Sequence, residues 1–366
     1  MKKTTTWAAA LAIAALASIG FATPAFAAPV AGPGFEVIGG YNFVSTSADG
    51  TITATYSGST GLSVYKSATN QVSSYTDTSL GLTSAGDPVV SPDGSTVYIM
   101  GNTPQEVVVF DVASETVDRT ISLPFSAWMG AITPDGSTLI AYAKTTQELV
   151  KISLATDTVS APLDLGLDYP YQLCITSNGS TLYVPGYDAG YTSIVDIASL
   201  SETDRLLDDG GPLDCALGAD DTLYIGDYDI GAVREYAPDG KSLLSAEGLV
   251  DEMYGMGLTC NSVILGDYQN TGYVVLDRTT LAQTGTIDSE VYTYMMAVTA
   301  DAKTTWVGGY AADPGLQSVT EDTCPVALPD TGASPSVIGT SLSVSAGLLA
   351  AGVIALLVVR RRNRTN

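Results

Sequence analysis

A short turn sequence recurs at regular intervals along this chain. Its clearest copies start at residues 91, 133 and 176 and read SPDGST, TPDGST and TSNGST. Weaker copies extend the series in both directions, with steps of 40 to 44 residues between successive anchor positions. The anchors are Gly50, Gly94, Gly136, Gly179, Asp221, Ser262 and Ala302. A period of about 42 residues is typical of repeat folds in which each repeat is one supersecondary unit.

Each repeat has the pattern of four short strands. An apolar stretch precedes the turn, as at residues 131–132, and an alternating stretch follows it, as at residues 182–184. The Asp-Gly or Asn-Gly pair favours a tight hairpin, because both residues tolerate a positive φ. Four strands in 40–45 residues are typical of a β-propeller blade. We therefore predict an all-β fold, a seven-bladed β-propeller over residues 28–322, with paired β-sandwiches or a β-solenoid as alternatives.

The last repeat supplies only three strands, at residues 295–298, 305–307 and 316–319. An unpaired strand edge favours aggregation, so a ring of blades has to close. Residues 35–38 precede the first repeat and have no blade of their own. We expect this segment to supply the missing strand of blade seven.

Two segments resemble the YVTN-type propeller repeat. One is Tyr183-Val184 followed by Ser193-Ile194-Val195-Asp196-Ile197-Ala198, and the other spans residues 107–117. The resemblance is good over about residues 90–200. It implies a propeller of the kind that often serves as an extracellular interaction scaffold.

The N-terminus reads as a secretory signal peptide over residues 1–27. Lys2 and Lys3 precede an apolar run at residues 7–21, and Ala25-Phe26-Ala27 fits the small-x-small cleavage pattern. A membrane anchor is the alternative. Cleavage would export the rest of the chain.

The C-terminus carries three elements in order. Leu328-Pro329-Asp330-Thr331-Gly332 lies in an expected linker at residues 323–336, the uncharged run at residues 337–359 is predicted to form a transmembrane helix, and residues 360–366 are predicted to form a basic cytoplasmic tail. This order resembles the LPXTG sorting signal of Gram-positive surface proteins. The resemblance implies that sortase attacks the Thr331 carbonyl and joins Thr331 to peptidoglycan, so the membrane holds the chain only before sorting. A permanent membrane protein is the alternative.

Composition and net charge exclude several classes of function. The chain has 15 Lys and Arg, 39 Asp and Glu and no histidine, so a Ser-His-Asp triad and a His-ligated zinc are excluded. Nine of the bases and all 39 acids fall within residues 28–331, so that region carries a charge of −30. Nucleic acids are polyanions and need a basic face, so we expect no nucleic-acid partner.

Four cysteines in an exported chain indicate disulfides. Cys174 and Cys215 each lie nine residues before a tyrosine that follows the turn, so they occupy equivalent positions in consecutive repeats. We predict that they pair, and that Cys260 pairs with Cys324. Other connectivities and free thiols remain open. No C-x-x-C motif points to a zinc site, and we expect no metal or cofactor.

The loops expected at one end of the propeller are rich in tyrosine and acid. Lys144 is the only base we find among them. Such a surface suits an extracellular ligand such as a glycan, an amine or a basic protein patch. The alternative is that these tyrosines pack the rim and the acids only solvate the surface. The candidate ligand-binding residues are Tyr169, Tyr187, Asp227, Tyr228, Asp229, Asp267, Tyr268, Tyr292 and Tyr310.

We therefore expect a non-enzymatic binding or adhesion protein anchored to the cell wall, with no catalytic residues. An acidic spacer without a specific ligand is a simpler possibility. The alternative with chemistry is a carboxylate- or calcium-dependent hydrolase or lactonase that uses Asp227, Asp229 and Asp267.

Overall fold

The computed structural model describes residues 28–321, except residues 59, 168–169, 208–209 and 312. The predicted signal peptide, sorting motif, transmembrane segment and basic tail lie outside the described residues. In the described part of the chain, no helix has the length and apolar character needed to cross a membrane.

Antiparallel strands dominate the described chain and form six sheets, five of which follow one another along the sequence. A four-residue helix, α1 (Asp77–Leu80), separates the first of these five from the second. After β1 (Val30–Phe35), the five sheets contain β2 (Asn42–Thr46), β3 (Ile52–Ser57), β4 (Gly61–Lys66) and β5 (Gln71–Thr76); β6 (Ser84–Val90), β7 (Thr96–Thr103), β8 (Glu106–Asp111) and β9 (Thr116–Ser122); β10 (Met129–Ile132), β11 (Thr138–Ala143), β12 (Glu148–Ser153), β13 (Thr158–Val159) and β14 (Leu163–Asp164); β15 (Cys174–Ile175), β16 (Thr181–Gly186), β17 (Tyr191–Asp196) and β18 (Ser201–Leu207); and β19 (Pro212–Leu217), β20 (Leu223–Asp227), β21 (Ala232–Tyr236) and β22 (Ser242–Ala246).

The sixth sheet has seven strands, because one long strand belongs to two four-stranded units. Its strands are β23 (Met253–Leu258), β24 (Ser262–Asp267), β25 (Thr271–Asp277), β26 (Gln283–Val298), β27 (Thr304–Gly309) and β28 (Leu316–Thr320), in the order β1-β28-β27-β26-β25-β24-β23. The expectation that Tyr292 lies in a loop is wrong, because β26 continues through residues 290–294. Tyr292 still pairs with β25, and Thr293 pairs with β27. No Gly or Pro interrupts residues 286–298, so nothing forces a turn.

An N-terminal strand does join the last unit, but upstream of the expected segment. β1 pairs antiparallel with β28, with Val30 opposite Thr320 and Phe35 opposite Leu316. Its sequence, VAGPGF, does not look like a strand. Pro33 is tolerated because β1 lies at the sheet edge and the register shifts between Ala31 and Gly34.

The first strands of neighbouring sheets contact one another in sequence order, and β26 contacts β2. These contacts form a closed cycle. Apolar side chains fill the space between the sheets, and Tyr56, Tyr142, Tyr224, Phe43 and Phe110 are among the largest that are fully buried. The described chain is therefore an all-β, propeller-like arrangement of antiparallel sheets.

The repeated turn has the same geometry in five copies, at Asp49, Asp93, Asp135, Asn178 and Asp301. In its second copy, Asp93 Oδ1 accepts hydrogen bonds from Ser91 Oγ at 2.7 Å and from the backbone N–H of Ser95 at 3.0 Å. Gly94 has a φ of +71°, whereas Asp93 does not take a positive φ. The turn therefore has one positive-φ position rather than two, and this position is filled by glycine in the clear copies and by Asp221 and Ala302 in two weaker ones. The side-chain bonds explain why Ser or Thr accompanies the Asp.

A disulfide joins Cys174 in β15 to Cys215 in β19, with a Cα–Cα distance of 6.1 Å. This confirms the predicted pair. Cys260 is also disulfide-bonded. Cys324 lies outside the described residues, so its pairing with Cys260 stays a prediction.

Candidate functional site

Four of the candidate tyrosines occupy the same place in four successive units. Tyr187, Tyr228, Tyr268 and Tyr310 each follow directly the last residue of the second strand, in β16, β20, β24 and β27. All four are half-buried. The repeat therefore sets them side by side in the loops between second and third strands.

These four rings do not form a row by themselves. Tyr187 contacts Tyr228 with ring centroids 5.7 Å apart, and Tyr268 contacts Tyr310 at 4.9 Å. Tyr254 in β23 joins the two pairs, because its ring lies 5.6 Å from that of Tyr228 and 4.6 Å from that of Tyr268. The candidate residues thus meet through a tyrosine that the sequence analysis did not select.

Three more tyrosines complete what we call the tyrosine cluster. Tyr171 lies 5.4 Å from Tyr254, and Tyr294 is stacked on Tyr254 at 5.7 Å. Tyr41 lies 3.9 Å from Tyr310. Within the described residues the cluster consists of Tyr41, Tyr171, Tyr187, Tyr228, Tyr254, Tyr268, Tyr294 and Tyr310.

A sequence signal could have found part of this second group. Tyr171, Tyr254 and Tyr294 each lie eight residues before an anchor of the repeat, as does Trp128 in an earlier unit. The predicted binding residues in the same segments are instead Tyr169 and Tyr292. Tyr169 lies outside the described residues. Tyr292 is 45% exposed and has no ring contact with the cluster in the described chain.

The hydroxyls of the cluster form short hydrogen-bonded chains. Tyr268 donates to the Tyr310 hydroxyl, which donates to the Tyr41 hydroxyl at 2.5 Å. Tyr187 donates to Asp229 Oδ1 at 2.9 Å, and this bond raises the pKa of Tyr187 to about 12. Burial and the neighbouring phenols raise the pKa of Tyr294 as well. Tyr187 and Tyr294 therefore carry neutral rings at physiological pH.

A cavity of about 360 Å³ opens at one side of the cluster. That volume lies within the range of small-molecule sites, which starts at about 300 Å³. Its lining residues are Tyr171, Tyr187, Asp188, Leu213, Tyr228 and Tyr254.

The candidate acids separate into two groups. Asp227 is fully buried, accepts the backbone N–H of Asp229 at 3.0 Å, and pairs with Arg234 at 3.1 Å. Its carboxylate therefore holds a turn and does not face a ligand. Asp229 is exposed and bonded to Tyr187, so it remains at the cluster.

Asp267 has the same role as Asp227 one unit later. It is 9% exposed, and its oxygens accept the backbone N–H of Gln269 at 2.7 Å and the side-chain amide of Asn270 at 2.9 Å. Asp227, Asp229 and Asp267 do not converge on one point. Among the described residues, no group of three or more His, Cys, Asp or Glu side chains is arranged to hold a metal ion.

Lys144, the base expected near this end, lies over the Trp128 ring with its Nζ 4.9 Å from the ring centroid. Trp128 contacts Phe43, which contacts Tyr294 of the cluster. Lys144 is not among the described residues that line the 360 Å³ cavity.

Comparison with solved structures supports the fold. The chain is similar to a structure titled "Kuenenia stuttgartiensis Hydrazine Synthase", with a TM-score of 0.66, 14% identity, and coverage of 79% of this chain and 97% of that one. It is similar to a chain of "Crystal Structure of Mitotic Checkpoint Complex", with a TM-score of 0.66, 14% identity, and coverage of 82% and 94%. Both neighbours are propeller-like, and at this identity the likeness shows the fold alone. No protein-family model matches the chain, and no curated protein sequence does.

Proposed function

We propose that this protein is a non-enzymatic binding or adhesion protein, secreted and anchored to the cell wall of a Gram-positive bacterium. Its partners in anchoring would be sortase and peptidoglycan, joined through Thr331. The Cys174–Cys215 disulfide supports export, because structural disulfides persist in oxidising compartments. The order of pentapeptide, apolar segment and basic tail supports sorting.

We further propose that the ectodomain is a seven-bladed propeller. The seven-stranded sheet would count as two blades that share β26, and β1 would complete the last blade beside β28. Pairing of β1 with β28 supports this closure, as does the cycle of contacts between first strands. Seven repeats in the sequence agree with it.

The observation that carries the binding proposal is the tyrosine cluster with its cavity. Tyr187, Tyr228, Tyr268 and Tyr310 are half-buried rather than packed away, and they come from four separate loops. A hydroxyphenyl ring offers both an apolar face and a hydrogen-bonding group, which suits recognition. The strongly acidic ectodomain favours a ligand that carries amines, a basic protein patch or a hydroxyl-rich glycan.

The test is adhesion of cells that display the full chain, measured on polylysine-coated and on glycan-coated surfaces. The double variant Tyr228→Ala with Tyr268→Ala should lose most of the adhesion at equal display density. Neither substitution changes the charge, so a loss would report on the rings. Tyr292→Ala is the matched control, because Tyr292 is exposed and outside the cluster. Equal adhesion of the double variant and the wild type would overturn the proposal.

A further inference from the structure

The 360 Å³ cavity has walls of a particular kind. Neighbouring rings around it are close to perpendicular: Tyr187 and Tyr228 meet at 84°, and Tyr228 and Tyr254 at 78°. Tyr171 and Tyr254 meet at 70°. Rings that meet at such angles form the corners of a box rather than one flat platform. A box of ring faces suits a compact group better than an extended sugar ring.

The electrostatic potential in this cavity is negative. Aromatic faces carry the negative part of the ring quadrupole. Asp188 is exposed and lines the cavity, and the described lining residues include no Lys or Arg. Asp229 accepts a hydrogen bond from the hydroxyl of Tyr187, and burial together with the nearby Glu252 carboxylate raises the pKa of Tyr228, so two more carboxylates lie just behind the walls. A neutral guest would gain apolar contact and hydrogen bonds there, but no attraction of charge.

A cation that binds to ring faces has to lose its hydration water at a low cost in free energy. Alkylated ammonium groups do this better than a bare ammonium, since their charge is spread under methyl groups. Positioned within about 6 Å of several ring centroids, such a cation gains a cation–π contribution from each one. The four tyrosines provide the faces, Leu213 provides an apolar contact, and Asp188 balances the charge.

We propose that this cavity binds a compact alkylated ammonium group, the head of a choline-type molecule or of a methylated lysine side chain. The inference rests on the proposed binding function and narrows its ligand class. The two sources share one chemistry, a trimethylammonium group. They differ in whether the group is carried by a small alcohol or by a peptide.

The experiment is calorimetric titration of the purified full chain with four probes: tetramethylammonium, choline, a trimethyllysine peptide, and 3,3-dimethyl-1-butanol. The last is the neutral isostere of choline. We expect at least one of the cationic probes to bind saturably, and choline to bind at least about tenfold more tightly than its neutral isostere, because only the cation gains from the ring faces. A preference for the peptide over free choline would identify a protein side chain as the source, and the reverse would identify a small molecule.

Variants separate the charge from the shape of the cavity. Tyr228→Leu should weaken ammonium binding about tenfold or more, whereas Tyr228→Phe should stay within about threefold of wild type, because it keeps the ring. Asp188→Asn should weaken the binding of the cationic probes and leave the affinity for the neutral isostere unchanged. Tyr292→Leu is the matched control and should bind as wild type does.

Two results would overturn the inference: no saturable binding of any ammonium probe, or equal affinity for choline and its neutral isostere. Either result together with loss of adhesion in the Tyr228→Ala, Tyr268→Ala variant would leave the binding function standing with another ligand. Adhesion that survives in that double variant would reject the proposed function itself.

Discussion

Asp214 in β19 joins its sheet to the next one. Its Oδ2 atom accepts the backbone N–H of Met256 in β23 at 2.7 Å, and its Oδ1 atom accepts the N–H of Cys215 at 2.7 Å. Asp87 in β6 makes an equivalent bridge to Gly130 in β10 at 3.3 Å. Both carboxyls are buried in the first strands, close to where the sheets converge. Each of these two side chains by itself links one sheet to its neighbour.

Burial of these two carboxyls predicts that stability falls as the pH rises, although the hydrogen bonds from the backbone N–H groups oppose the effect. Burial raises the pKa of Asp214 to about 8, and that of Asp87 well above its ordinary value. The folded chain then holds protons that the unfolded chain releases above about pH 4, so the stabilisation is complete below that pH and is lost toward pH 8. We expect the free energy of unfolding to fall between pH 5 and 8, by at most about 1.4 kcal/mol per pH unit for each group.

Urea unfolding at several pH values in that window measures this slope. Asp214→Asn should flatten it, because amides do not titrate. Asp188→Asn is the charge-matched control, because it removes an exposed carboxylate by the same substitution. Turn acids such as Asp93, whose pKa is lowered by hydrogen bonds, act below about pH 4 and do not interfere. Stability that rises with pH, or an unchanged slope in Asp214→Asn, would contradict the prediction.

The disulfide between Cys174 and Cys215 is expected to add several kcal/mol to the free energy of unfolding. Cys174 and Cys215 are 41 residues apart, and closing a loop of that length stabilises the folded state by about 4 kcal/mol in the chain-entropy model. The double variant Cys174→Ala with Cys215→Ala should therefore unfold at a lower urea concentration than the wild type. Its free energy of unfolding should be lower by about 4 kcal/mol.

Mass spectrometry of a non-reduced digest provides the check on connectivity. It should recover the peptides of Cys174 and Cys215 as one linked species. The same digest tests the predicted link between Cys260 and Cys324. A Cys174 peptide joined to any other cysteine would show that the assignment is wrong.

The repeat was the strongest signal in the sequence because it has a local cause. Most copies place a glycine such as Gly94 at the positive-φ position and an acceptor such as Asp93 that binds its own backbone, so the clear copies share one short sequence. Strand β1 could not be located in the same way. Its Gly and Pro residues disfavour a strand, and only the free edge of β28 makes the pairing favourable.

The sequence likewise predicts part of the candidate site and not the rest. The tyrosines after the second strands follow from the repeat alone. The sequence predicts Asp227 and Asp267 as ligand-binding acids of the loops, but whether a carboxylate faces a ligand or its own turn depends on backbone direction that composition does not encode. Tyr294 entered the cluster rather than Tyr292 because the register of β26 shifts between Thr293 and Met295. Such a shift changes which side chains share a face.

The sorting motif gives the remaining prediction. If sortase joins Thr331 to peptidoglycan, wild-type protein should leave the cell only after muralytic digestion. Thr331→Ala removes the residue whose carbonyl is attacked in the resembled signal, so the variant should be extracted by detergent or shed into the medium. Thr340→Ala, in the apolar segment that follows, is the matched control and should stay bound to the wall. The measurement is the fraction of protein released by detergent alone and then by digestion. Release of the wild type by detergent alone would mean that the chain is held by the membrane and not by the wall.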